Sequence, residues 1–192
     1  MARILVIEDD ADILENLQEF LEPEGFQVFT AVNGEEGILQ AKTLKPDLIL
    51  CDRMMRPGSG MDVLDAIRSN AATAQTPFIF ITALAAKQDV RDGMVHGADD
   101  YLTKPFTRTD LLGAIYAQLE KTKSRAADTK SKMAVVSESI RTHLQHIHGN
   151  LELYRSDNPT ALESEEFADA WNATLLAIAK IDKVIAAMVP KQ

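Results

Sequence analysis

The amino-acid sequence predicts an α/β fold. A doubly wound sheet of five parallel strands occupies residues 1–123, and an all-α helical hairpin occupies 124–192. Two observations carry this. Short apolar or β-branched runs alternate five times with amphipathic stretches of helical period, and beyond residue 123 the runs stop while the helical period continues.

The strands are expected at 4–7, 26–31, 48–51 and 78–81, with a weaker one at 100–102. Their runs are continuous rather than alternating, as in strands buried on both faces. Helices are expected at 11–22, 34–45, 60–70, 87–96 and from 109 onward, with Pro and Gly at the connections. Strand then helix, repeated, folds into a parallel sheet with helices on both faces.

From 112 onward apolar or small residues recur at steps of three and four, through Leu112, Ile115, Leu119 and Thr122 to Met133, Val136 and Ile140. That is the spacing of a coiled-coil seam. The last helix of the sheet domain is therefore expected to run on into the tail. The seam continues through Leu144, Ile147, Leu151 and Tyr154, and two steps of four fall together at Val136, Ile140 and Leu144, a stutter that locally unwinds a supercoil. Asp157, Asn158 and Pro159 end this helix, and Ser164 offers an N-cap to the next. The tail helices are expected at about 124–155 and 164–189, the second carrying Trp171, Leu175, Ile178 and Ile185. Two helices with one apolar face each cannot bury those faces alone, so a homodimeric four-helix bundle is expected. Met133, Val136, Ile140, Leu144, Ile147, Leu151, Trp171, Leu175, Ile178 and Ile185 would form the dimerisation surface.

Composition excludes several classes. The net charge is −9, with 20 acidic against 12 basic residues in 1–123 and 9 against 8 beyond. Neither part offers the basic face that phosphate neutralisation needs, so nucleic acid is not an expected partner. A single cysteine, Cys51, forbids an intrachain disulfide and fits a reducing compartment. No apolar run approaches a membrane span and the N-terminus lacks a signal-peptide core, so a cytoplasmic protein is expected.

In an open α/β sheet, ligands bind outside the carboxyl ends of the strands. Glu8, Asp9 and Asp10 follow the first run, Asp52 the third, Thr82 the fourth, and Lys104 with Pro105 the fifth. Clustered carboxylates need a cation, and oxygen donors of this kind suit Mg²⁺ beside phosphate. No Gly-rich phosphate loop, Ser-His-Asp set or Cys/His metal spacing is present.

With VIEDD, Asp52 within LILCDRMMRPGSGMDVL, Thr82 within FIFITA and GADDYLTKPF in order, residues 1–123 resemble the receiver domain of two-component response regulators. That resemblance implies a flavodoxin-like fold in which Asp52 accepts phosphate from a cognate histidine kinase. It also implies that Glu8, Asp9, Asp52 and the Met54 carbonyl hold Mg²⁺, that Thr82 and Lys104 bind the phosphoryl group, and that Tyr101 is an aromatic switch; the plainer reading of Tyr101 is a core tyrosine. No enzyme activity is expected beyond self-phosphorylation from a donor and slow self-dephosphorylation. Where the family commonly has proline, four residues after the acceptor, this chain has Arg56, and Pro57 follows; Gly60 keeps its usual offset. Arg53 beside the acceptor is also unusual. Met54 and Leu84 stand where the family often carries polar side chains that place the hydrolytic water, so a long-lived aspartyl phosphate is expected.

SESIRTHL over 137–144 resembles the first-helix motif of the histidine-kinase dimerisation and phosphotransfer hairpin, with Arg141, Thr142 and Leu144 matching. Glu138 stands at the phosphoacceptor position and His143 at that of proline, which implies a dimerising fold without kinase function. An unrelated hairpin sharing a few seam residues is the plainer alternative. Expected output is protein contact through the dimer with a downstream protein. Two rivals remain: a phosphorelay phosphotransferase using His143, His146 or His148, and a DNA-binding regulator, disfavoured by a tail without a basic recognition helix.

Overall fold

The computed structural model describes residues 1–83, 95–157 and 165–188, the side chains of 165–167 and 186–188 excepted. Contact density divides the chain into two compact units, Met1–Lys123 and Ser124–Gln192.

Among the described residues of the first unit, a five-stranded parallel sheet has the order β2-β1-β3-β4-β5. The strands are β1 (Arg3–Ile7), β2 (Gln27–Ala31), β3 (Leu48–Asp52), β4 (Phe78–Thr82) and β5 (Asp100–Thr103). Helices α1 (Ala11–Leu21), α2 (Gly34–Leu44) and α3 (Gly60–Arg68) follow the first three strands. The expected helix at 87–96 lies almost wholly outside the described residues.

The continuous apolar runs have a simple cause. Along β1, Ile4 and Val6 join Leu14, Leu17, Leu48, Leu50, Ile79 and Ile81 on one face, while Leu5 and Ile7 join Ile49, Cys51, Val63, Leu64, Phe78 and Phe80 on the other. Both faces are covered, so neither parity of residue can be polar. Strand β5 is at the edge and only Leu102 of its residues is fully buried, which explains its weak run. Each helix start is stabilised locally. Asp10 accepts from the amides of Asp12 and Ile13, Asn33 accepts from that of Glu36, and Ser59 and Asp62 form a reciprocal capping box.

Helix α4 (Arg108–Asp157) is unbroken over 50 residues, crossing the unit boundary as the seam predicts. Its inward face in the first unit is Leu111, Ile115 and Gln118, one residue before the expected Leu112 and Leu119, which are only half-buried. Gln118 is buried because its amide donates to the Asp99 carbonyl at 3.2 Å and to the Asp100 carboxylate at 3.0 Å.

The second unit pairs α4 with α5 (Glu165–Met188). An ion pair of 3.7 Å between Arg141 and Asp182 links them. Here the expected seam resolves into two adjacent stripes. Ser137, Arg141, Leu144 and Leu151 are buried or half-buried, as are Trp171, Leu175, Ile178 and Ile185 of α5. Met133, Val136, Ile140, Ile147 and Tyr154 remain exposed, together with Ile181 and Val184. The stripes lie side by side because Val136 and Ser137 are consecutive, and the polar Ser137 gave no apolar signal. The expected Ser164 cap and the side chains of Phe167 and Met188 lie outside the described residues.

Candidate functional site

The parallel strands all end at one edge, and the order β2-β1-β3 reverses direction between β1 and β3, which opens a crevice there. Glu8 and Asp9 leave β1, Asp52 ends β3, Thr82 ends β4, and Lys104 follows β5. The register places Asp52 beside Ile81 and Thr82 beside Thr103, and the Lys104 amide donates to the Thr82 carbonyl at 2.8 Å. The predicted residues are therefore brought together by strand pairing alone.

Lys104 is the hub. Its Nζ donates to Asp52 Oδ2 at 2.7 Å and to Glu8 Oε2 at 2.8 Å. Glu8 and Asp52 are buried and Asp9 is exposed. Among the described residues, Glu8, Asp9 and Asp52 each offer a carboxylate oxygen within 4.8 Å of the others. Burial, and then the neighbouring Asp52, push the Glu8 carboxyl up to about 7 against the pull of Lys104. Burial also opposes the Lys104 charge, but its bonds to Asp52 and Glu8 outweigh that and hold the ammonium above its usual value. Three converging carboxylates with one ammonium suit a hard divalent cation such as Mg²⁺. Burial, with Asp52 and Glu8 nearby, raises the Cys51 thiol well above its ordinary range, so Cys51 is an inert core residue.

The loop from 53 to 59 wraps this edge. The Met54 amide donates to Asp52 Oδ1 at 2.8 Å, and the Arg56 amide donates to Asp9 Oδ2 at 3.0 Å. The Met54 side chain is exposed beside Asp52, whereas Met55 is buried and anchors the loop. Gly60 has a steric reason for its place. A Cβ there would overlap the Asp52 carbonyl oxygen and come within 2.9 Å of Arg53 Cα and the Phe80 ring. Pro57 and Pro105 each follow a cis peptide bond. Thr82 is fully buried. The Tyr101 ring packs 5.1 Å from that of Phe80, with its hydroxyl oxygen buried. Leu84 lies outside the described residues.

A model of the response regulator receiver domain matches residues 4–116. The chain belongs to the response regulator receiver family. Among curated proteins, this receiver chain is similar to the DNA-binding dual master transcriptional regulator RpaA of Synechocystis, 41% identical over 64% of this chain and 51% of that protein. It is also similar to the cell cycle response regulator CtrA of Brucella ovis, 37% identical over 65% of this chain and 53% of that one. The chain thus spans about half the length of the curated relatives it matches. A solved response regulator receiver domain from Clostridium thermocellum superposes with a TM-score of 0.60 at 34% identity, covering 64% of this chain and 98% of that one. Chemotaxis protein CheY4 of Vibrio cholerae gives a TM-score of 0.59 at 27% identity, over 61% and 98%. Among the described residues no helix is long and apolar enough to cross a membrane.

Sequence reasoning missed one group at the site and one residue of the scaffold behind it. The Arg56 amide is a backbone donor, and its one signature in residue type is that position 56 is not proline. Arg68 donates to the carbonyls of Gly97, Ala74 and Thr76 at 2.9, 3.1 and 2.8 Å and pairs with Asp99 at 2.8 Å, tying α3 to the segments that enter β4 and β5. In the tail, His143 Nδ1 lies 2.7 Å from the Ser139 carbonyl within its own helix, and Arg141 Nη1 lies 3.4 Å from Glu138.

Proposed function

We propose that this chain is a phosphorylation-dependent signalling response regulator whose Asp52 accepts a phosphoryl group from a histidine kinase in the presence of Mg²⁺. The observation that carries this is the bridge from Lys104 to both Asp52 and Glu8, with Asp9 alongside. In the transfer, a carboxylate oxygen of Asp52 forms a bond to phosphorus as the phosphorus–nitrogen bond of the donor histidine breaks, and the released imidazole takes up a proton. Glu8, Asp9, Asp52 and the Met54 carbonyl would hold the cation. When bound, Mg²⁺ supplies charge neutralisation for the transferred phosphoryl oxygens. Lys104 then exchanges its bond to the Asp52 carboxylate for one to the phosphoryl group, and Thr82 takes a second phosphoryl oxygen.

Phosphorylation adds about −1.5 to −2 charges at this edge. Movement of Thr82 toward the new group frees space beside Phe80, where the Tyr101 ring lies, and this is the switch. Met54 brings an apolar side chain to the acceptor, so hydrolytic water is poorly placed and the aspartyl phosphate persists. A half-life of seconds at neutral pH with Mg²⁺ would contradict that part. The acceptor itself is tested by incubating the full chain with Mg²⁺ and a small acyl phosphate donor, then mapping the modification by mass spectrometry. One hydroxylamine-labile phosphoryl group on Asp52 is expected, absent from Asp52→Ala.

Output is through protein contact by a homodimer of the tail, within a cytoplasmic pathway ending in a downstream protein. The exposed stripe from Met133 to Tyr154 supports this reading. At 1.5 Å per residue it is ~30 Å long, and over two helix widths it offers on the order of 600 Å² per copy, near the lower end of stable interfaces. Light scattering on the full chain is expected to give a dimer that Val136→Asp with Ile181→Asp converts to a helical monomer. A DNA-binding reading has one observation in its favour, the likeness to RpaA, a DNA-binding transcriptional regulator. The near-neutral tail speaks against it. Duplex binding by the full chain near physiological salt would reverse that preference.

A further inference from the structure

We infer that the backbone amide of Arg56 is a positioning group that orients Asp9 for the cation, an inference that rests on the Mg²⁺ reading above. The three carboxylates are held differently. Glu8 and Asp52 are buried and share the Lys104 ammonium, at 2.8 and 2.7 Å. Asp9 is exposed, and an exposed aspartate in water samples several rotamers. Its Oδ2 instead accepts the Arg56 amide at 3.0 Å, from 47 residues away in the chain. That bond occupies one oxygen and leaves the other lone pairs of the carboxylate for a cation.

The donor is itself fixed. The Met54 amide is bonded to Asp52 Oδ1 at 2.8 Å, Met55 is buried, and the Gly60 amide closes the loop onto the Arg53 carbonyl at 3.1 Å. One short loop therefore delivers a backbone N–H to each of two cluster carboxylates. This depends on residue type at a single place. A proline at 56 has no N–H and could not make the bond. The Arg56 side chain is exposed, so the amide, not the guanidinium, carries the role. Asp9 and the loop also become one unit, so that cation binding at Asp9 is felt directly beside the acceptor.

The test uses the full chain, stripped with a chelator and titrated with Mg²⁺ alone, followed by calorimetry and by amide chemical shifts. Arg56→Ala retains the amide and Arg56→Pro deletes it. Loss of such a supporting bond weakens metal binding by about tenfold or more. Arg56→Pro is expected to show that loss, with Arg56→Ala within about twofold of the unsubstituted chain. Equal affinity in all three overturns the inference, as does a loss equally large in Arg56→Ala. Absence of Mg²⁺ binding by the unsubstituted chain would instead overturn the metal reading beneath it. A measurement independent of the proline variant is amide exchange without metal. Asp9→Ala should accelerate exchange at Arg56, and an unchanged rate would show that the bond does not form.

Discussion

Replacing Gly60 and Gly113 by alanine should move stability in opposite directions. Both are helical, so alanine in either place gains up to about 1 kcal/mol from reduced chain entropy in the unfolded state. At Gly113 nothing lies within 4 Å of the added Cβ, and the gain stands. At Gly60 the Cβ meets the Asp52 carbonyl oxygen, Arg53 Cα and the fully buried Phe80 ring. Backbone and a core aromatic cannot swing aside as an exposed side chain can. Overpacking costs about 1–3 kcal/mol, and a clash with backbone and a core ring puts this case at the upper end, about 2–3, so the net loss after the propensity gain is roughly 1–2 kcal/mol. Native-state amide exchange in β3 reads the first unit directly within the full chain. Exchange should be about 5- to 30-fold faster in Gly60→Ala and a few-fold slower in Gly113→Ala. Asp52 phosphorylation should slow in the first variant alone, because the clash displaces the acceptor's own backbone. Exchange slowed in both would refute the steric argument and leave helix propensity as the only term that matters.

Lys104→Met leaves Glu8 and Asp52 facing each other without their ammonium, so the metal-free chain should lose on the order of 3 kcal/mol. Mg²⁺ should then stabilise the variant more than the unsubstituted chain in thermal melts, and a smaller effect would contradict the pairing. The Glu8 carboxyl, raised from 4.5 to about 7 chiefly by burial, binds its proton more tightly folded than unfolded. Its contribution is therefore fully present below about 4.5 and lost as pH rises through about 7, so metal-free stability should fall across that window in urea titrations. Glu8→Gln should flatten the fall, and a rise in stability across the same window, referenced to that variant, would be the wrong sign. Arg68→Lys cannot reproduce a planar fork reaching three carbonyls and the Asp99 carboxylate. It should cost about 2–3 kcal/mol by amide exchange in β4. Asp52 phosphorylation by the small donor should proceed at its ordinary rate.

The sheet was readable because its strands are covered on both faces. Continuous runs such as ILVI and LILC have no other ready explanation at four or five residues between helical stretches. The acidic and basic site residues were readable for a related reason: parallel strands all end at one edge, so residues following each run must converge. What could not be read was carried by backbone and by polar residues in buried places. Arg68 acts through backbone carbonyls and Arg56 through its N–H, which residue type encodes only to the extent that position 56 is not proline. Gln118 and Ser137 are buried because local partners or a facing helix accept them, so an apolar pattern passes over both. In the tail this had a consequence for the seam. A 3–4 spacing cannot separate two stripes one residue apart, and only burial shows that Leu144 and Leu151 are half-buried while Val136, Ile140 and Ile147 are exposed.

The charge distribution links the site to its need for a cation. Glu8, Asp9 and Asp52 converge with Lys104 as the ammonium bonded to two of them, which leaves the cluster negative even with Glu8 partly protonated. A phosphoryl donor approaching this edge brings further negative charge, and Lys104 is already committed to two carboxylates. Coulomb repulsion between unit charges at 4 Å is about 4 kcal/mol at the effective dielectric of a protein surface, so several such pairs would block transfer outright. The exposed Asp9 is then the informative member. It is the carboxylate outside the Lys104 bridge that a hydrated cation can reach first, and it is tethered to the loop beside the acceptor. On the Mg²⁺ reading, charge neutralisation and loop placement meet at one residue, so loss of the tether at Asp9 should weaken cation binding more than loss of another bond at the buried pair.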